Sequence, residues 1–173
     1  MVEPCLQTPS PNRSARSAGA GIDTIVLHAD AGRTEAGTVS WLTSPTSKAS
    51  YHYLVGRDGR VYQFVPEPLK AWHAGVSSFR GRTNLNNTSI GVSFANNMAG
   101  EEYRAKALKE GVILVASIMR RYGIPLDRVV THSYVSPGRK IDPGPKFPLE
   151  RFLADVQKRL DEQPPQVRPV YGP

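Results

Sequence analysis

The stretch Tyr51-His-Tyr-Leu-Val-Gly-Arg-Asp-Gly-Arg-Val-Tyr-Gln-Phe64 decides the fold. It contains two β-rich runs, residues 51–55 and 60–64, on either side of Arg57-Asp58-Gly59. Asp-Gly between two such runs is a strong signal for a β-hairpin. The stretch therefore predicts a pair of antiparallel strands, and further strands are expected on either side of it.

Three other short runs are rich in apolar and β-branched residues, and they predict buried strands at residues 22–28, 90–94 and 129–131. Helices are predicted at residues 101–122 and 148–160, where apolar side chains recur at spacings of three and four, and a weaker one at 37–42. The elements alternate without a regular βαβ rhythm. The sequence thus predicts an α/β fold in which a central mixed β-sheet is flanked by α-helices.

The bulk composition suits one folded domain. The chain has 173 residues, of which 39% are hydrophobic and 21% are charged, and this balance excludes a largely disordered protein. Residues 1–20 are polar, rich in Pro, Ser and Arg, and predict a flexible N-terminal arm. Residues 163–173 predict an extended Pro-rich tail. We expect a single catalytic domain at residues 21–162.

Cys5 is the only cysteine, which excludes an intramolecular disulfide and a cysteine-rich zinc site. A metal would have to be bound by histidines and carboxylates. The N-terminus lacks the basic start and apolar run of a secretory signal, and no run approaches the roughly 18–20 apolar residues of a membrane span. The expectation is a soluble chain, synthesised in the cytoplasm without a signal peptide.

The formal charge of +7 and the pI near 9.8 favour a polyanionic partner, such as nucleic acid, an anionic bilayer or a cell wall carrying carboxylates and phosphates. The basic residues are scattered along the chain and are partly matched by acidic neighbours. No nucleic-acid-binding module is recognisable, and this argues against nucleic acid as the partner.

Two of the four histidines, His28 and His132, end predicted strands, where a rigid scaffold presents side chains to a cleft. A turn-rich loop after His132 carries Lys140 and Asp142, whose side chains would point the same way if that chain were extended. Two histidines and one carboxylate are a recurrent ligand set for catalytic zinc, with the fourth position left for water or substrate. The alternative is a pair of structural histidines and an ordinary turn aspartate before Pro143.

Six blocks of sequence, in order along the chain, resemble the type-2 N-acetylmuramoyl-L-alanine amidases. That family includes phage endolysins, cytosolic muropeptide amidases and animal peptidoglycan-recognition proteins. The blocks are Ile-Val-Leu-His28; Ser-Tyr51-His-Tyr-Leu-Val-Gly-Arg-Asp-Gly-Arg-Val-Tyr62; Ala-Trp72-His73-Ala-Gly75; Asn86-Asn-Thr-Ser-Ile-Gly-Val-Ser93-Phe; Thr-His132; and Pro-Gly-Arg-Lys140-Ile-Asp142-Pro-Gly144. Each block alone is a weak signal, but together they cover most of the expected domain.

The resemblance implies one zinc ion per chain, bound by His28, His132 and Asp142. It also implies hydrolysis of the amide between N-acetylmuramic acid and L-alanine in peptidoglycan. Tyr51 would then serve the attacking water, and Lys140 would stabilise the oxyanion of the tetrahedral intermediate.

Ser93 departs from the cytosolic muropeptide amidases, which carry a glutamate proton shuttle at the matching position. A serine has no basic pKa near 7, so this departure favours the phage-lysin and recognition-protein branches and gives more weight to Tyr51. We expect His73, Trp72 and Asn86 to be substrate-binding residues, with a structural role as the alternative for each. His52 should point away from Tyr51 and be structural.

The biological setting that we expect is a monomeric phage endolysin that acts on the host cell wall after release from the cytoplasm. Two alternatives stay open. One is a peptidoglycan-binding module without turnover, and the other is a cytosolic amidase that recycles soluble muropeptides.

Overall fold

The computed structural model describes residues 5–162. The strands of this part are β1 Leu6–Gln7, β2 Arg13–Ala15, β3 Thr24–Ala29, β4 Tyr53–Val55, β5 Val61–Gln63, β6 Leu69–Ala71, β7 Ser78–Phe79, β8 Arg82–Thr83, β9 Ser89–Phe94 and β10 Val129–Thr131. Its α-helices are α1 Glu35–Thr43, α2 Ala105–Tyr122, α3 His132–Val135 and α4 Leu149–Glu162. In this part of the chain, no helix is long and apolar enough to cross a bilayer.

The central sheet has the strand order β1-β5-β4-β9-β3-β10. Strands β4, β9, β3 and β10 run parallel to one another, whereas β5 is antiparallel to β4 and parallel to β1. The sheet is therefore mixed, and the helices pack against it, as the sequence predicted. Strands β2 and β6 form a separate antiparallel pair, and so do β7 and β8.

The predicted hairpin is confirmed as β4 and β5, joined by a turn at Arg57-Asp58-Gly59. Gly59 has a φ of 86°, a conformation that costs a glycine little because it has no Cβ. The Asp58 carboxylate accepts a hydrogen bond from the backbone N–H of Arg60. The local sequence thus sets the turn, which in turn sets the register of the two strands.

The two faces of strand β9 bury different kinds of side chain. Ile90, Val92 and Phe94 join the main hydrophobic core, to which α2 and α4 contribute the rest of the apolar surface. Because successive strand residues point to opposite faces, the other face of β9 carries only the small residues Ser89, Gly91 and Ser93. Space is therefore left above that face for side chains from elsewhere.

The predicted helices are all present, with shifted boundaries. Helix α2 begins at Ala105 rather than at residue 101 and ends at Tyr122. The next residue, Gly123, has a φ of 65° and forms the left-handed cap expected of a glycine. Helix α4 starts at Leu149, and the weakly predicted helix becomes α1. The short elements β1, β2, β6, β7, β8 and α3 were not predicted.

The prediction of a flexible arm at residues 1–20 is wrong for residues 5–20, which the structure shows packed against the domain. Strand β1 extends the central sheet and β2 pairs with β6. Asn12 is buried, and its side-chain amide donates to the backbone carbonyls of Ser44 and Ala49. This segment is held by polar contacts with loops, so it shows none of the apolar periodicity on which the prediction depended. The predicted tail at residues 163–173 lies outside the described residues.

Arg16 is the strongest anchor of this N-terminal segment. Its guanidinium donates hydrogen bonds to the backbone carbonyls of Glu67, Asn86, Asn87 and Ser89. Hydrogen bonds from a charged donor to buried acceptors are worth more than neutral ones. The segment is thereby tied to the loop between β5 and β6 and to the start of strand β9.

We expect Arg16→Ala to lower the free energy of unfolding by roughly 1.5–3 kcal/mol, because several carbonyls lose a charged donor together. Arg13→Ala is the matched control, since the Arg13 side chain is exposed and makes no hydrogen bond or ion pair within residues 5–162. Its effect should stay within about 0.5 kcal/mol. Denaturant unfolding measures both, and equal effects of the two variants would contradict the anchoring role.

Candidate metal centre

The parallel pairing of β3 and β10 brings two histidines to one place. His28 is the fifth residue of β3, and His132 follows β10 directly as the first residue of α3. Thr131 caps that short helix, because its hydroxyl accepts a hydrogen bond from the backbone N–H of Tyr134. Asp142 returns to the same point at the end of the following loop, where its carbonyl accepts from the backbone N–H of Ser133.

The three predicted ligands converge closely. The Nδ1 atoms of His28 and His132 are 3.0 Å apart, and each is 3.1 Å from Oδ2 of Asp142. Both histidines are buried, whereas Asp142 is partly exposed. Residues 28, 132 and 142 are the group in the described part of the chain whose ligand atoms meet in this way.

This donor set fits a zinc ion. Three atoms that are 3.0–3.1 Å from one another can all lie at about 2.0–2.2 Å from a single point, which is the usual length of bonds from zinc to nitrogen and oxygen. Two neutral imidazoles and one carboxylate are also a common set of protein ligands for catalytic zinc, with a fourth position open. The arrangement is therefore competent to bind such a metal.

Burial and neighbouring side chains set the charge states of His28 and Asp142. Burial lowers the pKa of His28 to about 4, although the neighbouring carboxylate of Asp142 acts in the opposite direction. Burial raises the pKa of Asp142, but the adjacent imidazoles of His132 and His28 outweigh it and hold that pKa well below its usual range. At neutral pH, His28 is thus uncharged and Asp142 is ionised, as metal binding requires.

Each imidazole is also held at its second ring nitrogen. His132 Nε2 lies 3.1 Å from the backbone carbonyl oxygen of Ala74, and His28 Nε2 lies 3.0 Å from His73 Nδ1. Such contacts orient a metal-binding histidine and fix which nitrogen faces the metal. Both supporting groups come from the Trp-His-Ala-Gly block.

Tyr51 lies beside the ligands, with its ring centroid 5.0 Å from that of His28. Burial, together with the nearby carboxylates of Asp142 and Asp30, raises the pKa of the Tyr51 hydroxyl above its usual value. The hydroxyl is therefore protonated at neutral pH and can donate a hydrogen bond at the site.

Lys140 lies on the exposed loop between His132 and Asp142. Burial is the main cause that lowers the pKa of His28, and the positive charge of Lys140 adds to it. Within residues 5–162, the ammonium makes no hydrogen bond or ion pair. Lys140 and Ile141 are in irregular chain and Asp142 starts a turn, so no β-strand sets the relative direction of the Lys140 and Asp142 side chains.

Ser93 is directly opposite His28 in the pairing of β3 with β9 and is fully buried. Its hydroxyl has no hydrogen-bond partner among the described residues. The position at which the cytosolic muropeptide amidases carry a glutamate thus holds a small group, with no carboxylate supplied by β9 itself.

The three residues expected to bind substrate, His73, Trp72 and Asn86, all have contacts within the protein. Both ring nitrogens of His73 are engaged, one with His28 and the other with Ser89, and the side chain is buried. The Trp72 indole donates to the hydroxyl of Ser14. These contacts give no support to substrate binding by either residue.

Asn86 has a structural contact as well, because its carboxamide oxygen accepts from the backbone N–H groups of His73 and Ala74. His52 is buried, as expected of a structural residue, and its Nδ1 accepts from the backbone N–H of Gly91.

Sequence reasoning missed Arg139, which stands next to Lys140. Its guanidinium donates to the carbonyls of Ala74 and Val76 and to the hydroxyl of Ser136, so it fastens the loop that carries Asp142 to the Trp-His-Ala-Gly block. Its place within the Pro-Gly-Arg-Lys block was the only available signal.

Two histidines at neighbouring strand ends and an aspartate from the following loop, with their ligand atoms close together, form a candidate metal site of the kind found in zinc hydrolases. The family profile described as N-acetylmuramoyl-L-alanine amidase matches residues 18–145. The chain therefore belongs to the N-acetylmuramoyl-L-alanine amidase family, which confirms the resemblance found in the sequence.

Two curated relatives are similar over much of the chain. The N-acetylmuramoyl-L-alanine amidase AmiD of Escherichia coli is 36% identical over 155 residues, which is 81% of this chain and 55% of AmiD. The 1,6-anhydro-N-acetylmuramyl-L-alanine amidase AmpD of Haemophilus influenzae is 41% identical over 113 residues, which is 64% of this chain and 60% of AmpD. The matched regions thus span only 55–60% of these relatives.

A solved structure of Escherichia coli AmiD has a similar fold. Its TM-score with this chain is 0.72 at 33% identity, and the match covers 81% of this chain and 60% of that one. That structure is a complex with the substrate anhydro-N-acetylmuramic acid-L-Ala-D-gamma-Glu-L-Lys.

We expect His28→Ala and Asp142→Asn to weaken zinc binding by more than roughly 100-fold, since each removes a ligand rather than a supporting contact. Asp155→Asn on the exposed side of α4 is the control and should leave zinc binding unchanged. Elemental analysis after dialysis against a known free zinc concentration measures the effect. Full zinc occupancy in either ligand variant would show that the metal binds elsewhere.

Proposed function

We propose that this protein is a zinc-dependent amidase that hydrolyses the amide bond between N-acetylmuramic acid and L-alanine in peptidoglycan. The observation that carries the proposal is the convergence of His28, His132 and Asp142 to within 3.1 Å of one another in a member of the amidase family. The activities for which AmiD and AmpD are named, and the substrate in the AmiD complex, support this bond as the target.

A bound zinc ion would supply Lewis-acid chemistry, since zinc acidifies water and polarises a carbonyl group. The residues of this chain have the remaining tasks. The Tyr51 hydroxyl, close to His28, orients the attacking water and takes part in handling its proton. The ammonium of Lys140, which has no partner within residues 5–162, stabilises the negative charge that develops on the carbonyl oxygen, as a preorganised cation does in an oxyanion site.

A cavity of about 270 Å³ gives a substrate access to Tyr51. Asp30, Thr34 and Trp41 also line it, and the Trp41 side chain is 56% exposed. Aromatic walls with a few polar groups are typical of pockets that bind organic ligands. This cavity is therefore the place at which we expect the bound substrate to approach the metal centre.

Catalysis is favoured over binding without turnover. A module that had lost its activity would be expected to lack a ligand, whereas here three competent ligand atoms converge. The buried, uncharged state of His28 and the ionised state of Asp142 also suit a working metal centre.

We propose further that the enzyme acts on the intact wall, as a phage endolysin does. The net charge of +7 supports attraction to an anionic wall polymer, and the serine at position 93 supports a proton-handling arrangement unlike that of the cytosolic enzymes. The competing function is recycling of soluble muropeptides, and it is favoured by the 41% identity to AmpD, whose name specifies a 1,6-anhydro sugar.

We expect Tyr51→Phe to lower kcat by about 10²–10⁴-fold if Tyr51 handles the proton, and Lys140→Ala by about 10²–10³-fold, because one charge stabiliser is lost. Neither change removes a ligand, so zinc content should stay at the parent level. Release of N-terminal L-alanine from a muramoyl peptide measures the rate.

Tyr134→Phe and Lys146→Ala are matched controls, because both side chains are exposed and lie outside the ligand set. Their rates should equal that of the parent. Parent rates in Tyr51→Phe and Lys140→Ala would contradict the assigned roles, and new reducing sugar ends in place of alanine amino ends would exclude an amidase altogether.

A comparison of substrates distinguishes hydrolysis of the intact wall from recycling of soluble muropeptides. We expect faster release of alanine ends from intact sacculi than from soluble anhydro-muropeptide, and we expect the rate on sacculi to fall as added salt shortens the Debye length from about 10 Å toward 3 Å. Faster turnover of the soluble fragment, without salt dependence on sacculi, would establish recycling instead.

A further inference from the structure

A line of buried polar groups runs from strand β9 to the metal centre. The Ser89 hydroxyl donates to the backbone carbonyl of Leu85 at 2.5 Å, and its oxygen lies 3.1 Å from His73 Nε2. His73 Nδ1 then lies 3.0 Å from His28 Nε2. All four residues are buried, and the most exposed of them, His73, is only 7% exposed, so each of these groups needs its partner inside the protein.

The backbone carbonyl of Leu85, at one end of this line, determines the direction of every hydrogen bond in it. A carbonyl oxygen can only accept a hydrogen bond, so the Ser89 hydroxyl donates its one hydrogen to the carbonyl of Leu85. It can then only accept a hydrogen bond from His73. His73 Nε2 must then carry a hydrogen. No carboxylate contacts His73 among the described residues, and a buried imidazolium without a partner would be costly.

A neutral His73 with a hydrogen on Nε2 has a bare Nδ1, which can only accept. His28 must therefore donate from Nε2. Its own Nδ1 is left bare, and this is the atom that faces His132 and Asp142. The reversed order would put a hydrogen on His28 Nδ1, where a metal ion could not bind.

We propose that His73 is a positioning residue that selects the metal-binding tautomer of His28, and that Ser89 selects the tautomer of His73 in turn. The inference rests on the proposed zinc site but not on the reaction that the site performs. Nothing in it requires His73 to touch a substrate.

The surroundings hold His73 in this arrangement. A Cβ atom on Gly91 would lie 2.5 Å from Cγ of His73, so the ring packs directly on the strand. Asn86 fixes the backbone N–H groups of His73 and Ala74. Since the carbonyl of Ala74 accepts from His132 Nε2, two consecutive residues support both histidine ligands.

Nitrogen-15 spectra of the full chain, labelled at histidine, read the tautomers directly. We expect His28 and His73 to carry hydrogen on Nε2 and not on Nδ1, both before and after zinc is added. A His28 Nδ1–H tautomer in the zinc-free protein, or a His73 Nδ1–H tautomer in either state, would overturn the inference.

The zinc dissociation constant, measured by competition with a chelating dye, tests the energetic consequence. In His73→Asn, we expect the carboxamide oxygen to lie near the position of the former Nδ1, where it can still accept from His28. In His73→Gln, we expect the longer side chain to reach toward Ser89, in place of the former Nε2. We expect His73→Gln to weaken zinc binding by about 10–100-fold, and His73→Asn to restore most of that loss. Equal affinities in the parent and both variants, or equal losses in both variants, would overturn the proposal.

Ser89→Ala removes only a hydroxyl, and it tests the same proposal if both His73 variants fail to fold. Weaker zinc binding is expected there, and an unchanged dissociation constant would contradict the role of Ser89 and of the whole line. The outcome for the amidase reaction is separate. A parent chain with the expected tautomers and zinc affinity but no hydrolysis of muramoyl-alanine amides would overturn the proposed function alone.

Discussion

The candidate metal centre depends on the small size of the side chains along one face of strand β9. Ser89, Gly91 and Ser93 occupy that face, and a single added Cβ at Gly91 would collide with the His73 ring. Imidazoles at positions 28, 52 and 73 fill the space, with the ring centroids of His73 at 5.1 Å from His28 and 5.6 Å from His52. The opposite face of the same strand is fully apolar and belongs to the core. One strand of six residues therefore separates the hydrophobic core from the candidate metal site.

Much of this could be predicted, because the signals are local. The hairpin followed from Asp58-Gly59, and the strands that carry or precede His28 and His132 followed from short apolar runs. Once the two histidines are at neighbouring strand ends, their convergence is a matter of sheet geometry. Asp142 could be placed beside them only through the resemblance to a family, since nothing in a Pro-Gly-rich loop shows where it returns.

The rest could not be predicted, because it depends on polar contacts between residues far apart in sequence. The bonds of Asn12 and Arg16 reach 32 to 73 residues along the chain, and they leave no periodicity in the segment that makes them. The choice between a structural and a substrate-binding role for His73 stayed open for the same reason. A buried histidine and a substrate-binding histidine look alike in a sequence, and only the partners of both ring nitrogens tell them apart.

The N-terminal segment has a consequence for how this domain can be divided. The span that matches the family begins at residue 18, two positions after Arg16. A fragment trimmed to that boundary would keep every ligand, yet it would lose the guanidinium that binds the carbonyl of Ser89, the residue next in line to His73. The shared boundary of a family is therefore a poor guide to the smallest autonomous unit of this chain. A fusion or a graft should carry the segment from residue 5 onward.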